Sequence, residues 1–172
     1  WTKQIGGEVR GPTLMWVLTS LSAAIYAPIG IGVLVFGAWR PTWGALPWIA
    51  GSSALHVVYF LLLLRGYRNG DLSLVYPVAR GSGPLLATVG AIALLGERPS
   101  AFAIGGALMI TAGMLVLTLR RGVALDRLAV RYGLATGGFI GLYTLWDGAA
   151  VKHAGLPPLF FYWSGEVVRV LL

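Results

Sequence analysis

Three stretches of this chain, residues 11–39, 41–64 and 99–119, contain no Lys, Arg, Asp or Glu. Each matches or exceeds the ~20 apolar residues with which an α-helix crosses the hydrocarbon core of a bilayer. Soluble domains carry roughly 25% charged residues, whereas here 11% are charged and 57% hydrophobic. The runs are continuously apolar, with none of the alternation in ten-residue strands that a transmembrane barrel requires. The expected fold is therefore an all-α membrane protein, a multi-helix transmembrane bundle.

Six segments follow, at 11–38, 44–64, 72–95, 101–119, 132–151 and 158–172. Their connections are short ("RPTW", "RGYRNGD", "GERPS") except for "RRGVALDRLAVR" over 120–131, the one stretch long enough to link two halves. Counted by side, Lys3, Arg10, Arg65, Arg68, Arg120, Arg121, Arg127 and Arg131 face Arg40, Arg98 and Lys152, eight against three. The bias of Lys and Arg toward cytoplasmic loops puts the eight-charge side in the cytoplasm. The same interleaving of charge with apolar runs argues against a nucleic-acid partner in spite of the net charge of +7. Cysteine is absent, so disulfides and thiolate metal sites are excluded. The sequence opens on Trp1 without a Met and stops at Leu172 inside an apolar run, and so reads as an excerpt of a longer protein.

An internal repeat is visible if a three-residue gap is allowed. "TKQIGGEVRGPTLMWVLTS" aligns with "VKHAGLPPLFFYWSGE", pairing Lys3 with Lys152, Gly6 with Gly155 and Trp16 with Trp163. The two copies are five helices apart and would face opposite sides of the membrane, as the inverted repeats of transporters do.

The residue that fits a span least well is Arg80, in "LSLVYPVARGSGPLLATVGAIALLG". A guanidinium in the bilayer core is costly and should face protein or water. On a helix, Pro77, Arg80, Gly81 and Pro84 fall within about 100° of one another. Each proline strips a donor from the carbonyl four residues earlier, and Gly81 and Gly83 weaken the helix further. A kinked helix presenting carbonyls and a guanidinium to a polar cavity is one reading. A structural Arg that snorkels to the interface or pairs with a carboxylate is the other.

Several other residues have both a chemical role and a plainer structural one open to them. Glu166, three residues before Arg169 in "YWSGEVVRVLL", forms a local ion pair, partners Arg80, reads a cationic substrate or carries a proton. His56 shares a helix face with Tyr59, where a packing histidine is a simpler role than a protonation switch. Trp146 and Asp147 read as an interfacial belt Trp beside a loop-facing Asp. Tyr76, Tyr162 and other aromatics are belt and packing residues, some able to line an apolar cavity. Gly133, Gly137 and Gly141 make a small-xxx-small face for close helix approach. No metal-ligand spacing, Cys nucleophile or phosphate loop is present, so neither an enzyme nor a cofactor is expected.

Residues 69–117, "NGDLSLVYPVARGSGPLLATVGAIALLGERPSAFAIGGALMITAGMLVL", resemble the end of one repeat of an EamA-type transporter of the drug/metabolite transporter superfamily. The likeness lies in the Asp-Leu-Ser before Tyr-Pro, the Pro84-Leu85-Leu86, the Gly96-Glu97-Arg98 turn and the glycine-rich helix after it. Pro99 departs from the Leu usual after that turn. The resemblance implies ten helices in two inverted five-helix repeats. Residues 1–119 would then be a first repeat without its first helix, 120–131 the inter-repeat loop, and 132–172 a truncated start of the second. It also implies a multi-pass protein of the cell membrane, in a bacterial inner membrane, with both termini cytoplasmic; the charge count gives the opposite orientation. Glu97 belongs to the recurring turn and is structural. The proton-coupling Glu of the superfamily's small multidrug members lies in a helix that this sequence does not include, so Glu166 does not inherit its role.

The expected function is thus a secondary transporter of a small metabolite, such as an amino acid or amine, working by alternating access between inverted repeats. Its partners are the lipid bilayer and that substrate. Arg80, Tyr76, Tyr59, His56, Glu166, Tyr162, Trp146 and Asp147 are its candidate substrate-binding residues. The competing reading is a non-transporting helix-bundle subunit, or an integral-membrane enzyme whose chemistry lies outside this sequence.

Overall fold

A computed structural model describes residues 11–37, 39–120 and 126–172. Lys3 and Gly6 of the repeat, Ala38 at the end of the first segment, and Arg121 in the 120–131 stretch lie outside the described residues. Among the described residues there are six α-helices and no strand: α1 Gly11–Phe36, α2 Ala45–Asn69, α3 Leu72–Leu95, α4 Ala101–Arg120, α5 Arg127–Lys152 and α6 Pro158–Leu171. Three of them, α1, α2 and α3, are long and apolar enough to cross a membrane, and α4 carries a shorter apolar run, Ala101–Val116. Large side chains such as Leu21, Ile25, Val35, Val89 and Met109 stand exposed on the helices. In water so much exposed apolar surface is a liability; against lipid tails it is ordinary solvent contact.

Helix ends follow local chemistry. Asp71 caps α3, its Oδ1 accepting the Ser73 N–H at 2.8 Å, and Gly96 ends the helix in the left-handed region at φ 64°. At the other two ends the structure corrects the sequence reading. α2 runs on through "RGYRN", since arginines at a membrane surface do not break a helix, and Asn69 Nδ2 donates back to the Arg65 carbonyl at 2.9 Å. α5 begins at Arg127, five residues before the apolar run, because Asp126 Oδ1 accepts the Leu128 N–H at 2.9 Å. Among the described residues of the stretch 120–131, Arg120 ends α4 and Arg127–Arg131 belong to α5.

α3 carries both prolines of the stripe inside the helix. It is continuous through Pro77 and Pro84. Next to the Arg80 carbonyl, which Pro84 deprives of its donor, the Gly81 carbonyl accepts the Thr111 hydroxyl of α4 at 2.7 Å. A hydroxyl from a neighbouring helix thus supports the backbone where the proline weakens it.

The chain divides into two compact units, one holding the described residues up to Ala54 together with Asp147–Leu172, the other Leu55–Trp146. In the first, α1 packs on α6. The Trp163 indole N–H donates to the Ala23 carbonyl at 3.1 Å, and that of Trp16 to the Val170 carbonyl at 3.2 Å. Gly30 leaves room for the Trp163 ring, which occupies the place of a Cβ. Ala45, Ile49, Ala150, Leu156, Phe160 and Phe161 form the buried core of this unit.

In the second unit, α3 packs on α4 and is met by the glycine face of α5. A Cβ on Gly133 would strike Val78, one on Gly137 would strike Ser82, and one on Gly141 would press on Leu86 and Ala87. The small-xxx-small face is a close-packing surface, as its spacing indicates. In return, α3 sets Gly83 against Ile140 and Gly90 against Leu145. Leu74, Val75 and Ala129 are fully buried where the end of α2, the start of α3 and the start of α5 meet.

Candidate functional site

In the second unit, five side chains from three helices touch in sequence. His56 of α2 stacks on Tyr143 of α5, with ring centroids 4.0 Å apart and planes at 28°. Tyr59, three residues along α2, meets the edge of Tyr143 at 5.5 Å and 68°. The Tyr59 hydroxyl accepts a long hydrogen bond from Arg80 Nη2 of α3 at 3.4 Å. Arg80 in turn lies over Tyr76, four residues earlier on α3, with its Cζ 5.7 Å from the ring centroid. Four of the five are residues that the sequence singles out.

The fifth, Tyr143, is missed because the glycine spacing draws attention to the other face of α5. A signal for it exists: Tyr132, Thr136 and Tyr143 recur at helical spacing on a face turned away from Gly141. Thr136 is fully buried on that face.

The stripe of Pro77, Arg80, Gly81 and Pro84 does not act as one surface. Pro77 and Gly81 are buried, with Gly81 closed against Met114 and Thr111 of α4, whereas Arg80 is exposed and turned to the two tyrosines. A helix face spanning 100° is wide enough for its edges to meet different neighbours. The guanidinium keeps its charge uncompensated by either contact, because a phenol hydroxyl and a ring face carry no negative charge to offset it.

The first unit holds the other ionic candidate. Glu166 Oε1 and Arg169 Nη2 are 2.7 Å apart with both side chains buried. Of the roles open to Glu166, the local ion pair is the one this contact makes. The Arg169 guanidinium folds back over Gly165, whose carbonyl accepts the Ser53 hydroxyl at 3.3 Å. Tyr162, one turn before Glu166, is exposed and meets Tyr26 edge-on at 5.0 Å. Trp146 and Asp147 both lie within α5, and Asp147 Oδ1 is shut off from solvent. Asp147 is therefore a helical, partly buried residue rather than a loop-facing one, since α5 continues to Lys152. No group of three or more His, Cys, Asp or Glu able to hold a metal occurs among the described residues.

No family model, curated protein or solved structure matches the chain.

Proposed function

We propose that the chain belongs to an integral-membrane secondary transporter of a small polar or amphipathic metabolite, of the EamA type and working by alternating access between two inverted five-helix repeats. On that reading residues 11–120 supply helices two to five of the first repeat, and residues from 127 onward supply the sixth and part of the seventh, in a cell membrane. The observation that carries the proposal is Arg80, a cation within an apolar span, held by Tyr59 and Tyr76, neither of which neutralises its charge. Charged residues inside spans are costly, and substrate pathways are where they recur. Arg80 would engage the anionic group of a substrate, while Tyr59, Tyr76 and the His56–Tyr143 stack offer aromatic faces beside it.

Flux in proteoliposomes loaded with amino acids, amines or organic anions tests this, comparing the parent protein with Arg80→Gln at equal folded yield. The expected result is at least a tenfold loss of flux for anionic and zwitterionic substrates with amines spared, the ~1.5–3 kcal/mol of a charge-assisted hydrogen bond corresponding to roughly 10- to 150-fold. Unchanged flux with a lowered melting temperature would make Arg80 a structural residue and remove the proposal's support.

A further inference from the structure

A second feature of the Leu55–Trp146 unit is independent of transport. An apolar groove of about 130 Å³ is walled by Pro77, Gly81 and Leu85 of α3, Met114 and Leu115 of α4, and Leu134 of α5. Three hydroxyl residues also line it, yet their hydroxyls turn to the backbone. Ser82 donates to the Val78 carbonyl at 2.7 Å, Thr118 to the Met114 carbonyl at 2.9 Å, and Thr111 to the Gly81 carbonyl at 2.7 Å. What remains for an occupant is hydrocarbon surface, which suits an acyl chain better than a polar solute.

The groove lies toward one end of these helices. Its walls come from Pro77 to Leu85 of α3, the second half of α4 and the first third of α5. At that end Arg127 and Arg131 stand exposed on the first turns of α5. Arg131 precedes the groove residue Leu134 by three residues, on the same side of the helix and about 4.5 Å nearer its end. The carboxylate next to them in sequence, Asp126, is engaged in capping α5. Both arginines therefore sit on the turns of α5 that precede the groove, about 4.5 Å and about 10.5 Å nearer the helix end than Leu134, and basic residues beside a pocket between helices are suited to lipid headgroups.

The geometry points to a binding site for an anionic phospholipid, its phosphate held by Arg127 and Arg131 and one acyl chain lying in the groove past Leu134. A free phosphate would gain nothing from the groove, and a zwitterionic lipid less from the arginines.

Native mass spectrometry of the full chain in micelles doped with phosphatidylglycerol or phosphatidylcholine tests the site. The wild type should retain phosphatidylglycerol preferentially, and 10 mM inorganic phosphate should not displace it. Arg127→Gln with Arg131→Gln should weaken phosphatidylglycerol about thirty-fold, roughly fivefold for each arginine, and leave phosphatidylcholine unchanged. Leu115→Trp, at the exposed rim, should fill the groove and weaken both lipids. Arg65→Gln with Arg68→Gln, an exposed arginine pair on α2, which contributes no wall to the groove, should have little effect. Equal retention of the two lipids by the wild type would overturn the assignment. So would undiminished phosphatidylglycerol binding after loss of Arg127 and Arg131, or an equal loss with the α2 pair, which would indicate diffuse surface charge. A dimer that carries no lipid would assign the groove to a second copy of the chain.

Discussion

Glu166 and Arg169 are paired at 2.7 Å and both are out of solvent, so removing either singly strands the other. Breaking a buried pair by deleting one partner costs about 3–5 kcal/mol, whereas replacing both by apolar residues of similar size is close to neutral. Glu166→Ala should accordingly destabilise the protein by about 3–5 kcal/mol in denaturant unfolding from detergent micelles. Glu166→Leu combined with Arg169→Met should recover most of that loss. If the pair instead takes part in transport, the double variant would be stable but inactive, so stability and flux measured together separate a structural from a working role. Their i, i+3 spacing made this pair legible in the sequence. The string from His56 to Tyr76 was legible only in part: spacing puts His56 and Tyr59 on one face of α2, but Tyr143, which meets both rings from α5, announces itself by no charge or motif. Contacts between helices distant in sequence depend on which faces meet, and apolar spans give little periodicity from which to read a face.

At the scale of elements, glycines divide into those that hold helices together and those that do not. Gly133 and Gly137 of α5 admit α3 so closely that an added methyl would collide with Val78 or Ser82, while Gly106 and Gly113 of α4 meet nothing within 4 Å. Gly133→Ala and Gly137→Ala should each destabilise by about 1–3 kcal/mol through overpacking. Gly106→Ala and Gly113→Ala should be neutral or stabilising by up to about 1 kcal/mol. Thermal unfolding of the four variants in one detergent gives the comparison, and equal losses in all four would show that helix flexibility, not packing, governs these positions. The glycine face of α5 and the limits of α3 could be read from spacing and from the Asp71 and Gly96 caps. The ends of α2 and α5 could not, because hydropathy marks where lipid ends, and a helix with arginines at its surface turns continues past that line. The unbroken α3 has the same kind of cause: its prolines are visible in the sequence, but the Thr111 hydroxyl that supports the backbone beside them belongs to another helix.

For the molecule as a whole, orientation is the quantity on which charge and family resemblance disagree, and the absence of cysteine makes it directly measurable. Arg68 and Ser100 flank opposite ends of α3. With the arginine-rich side in the cytoplasm, Ser100→Cys should react with a membrane-impermeant maleimide in intact cells, and Arg68→Cys only after permeabilisation. The reverse pattern would follow the orientation that the resemblance implies. The indole bonds that fasten α1 to α6 bear on a different matter, the order of events during synthesis. Trp163 reaches back 140 residues to Ala23. At about 5–20 residues per second, roughly 7–28 s separate the emergence of these two residues from the ribosome. Throughout that interval α1 sits in the bilayer without the helix it is shaped to receive, its Gly30 notch open to lipid. The first of these six helices to be made thus acquires this partner only once the sixth emerges, and a nascent chain stalled before Trp163 cannot make the α1–α6 contact.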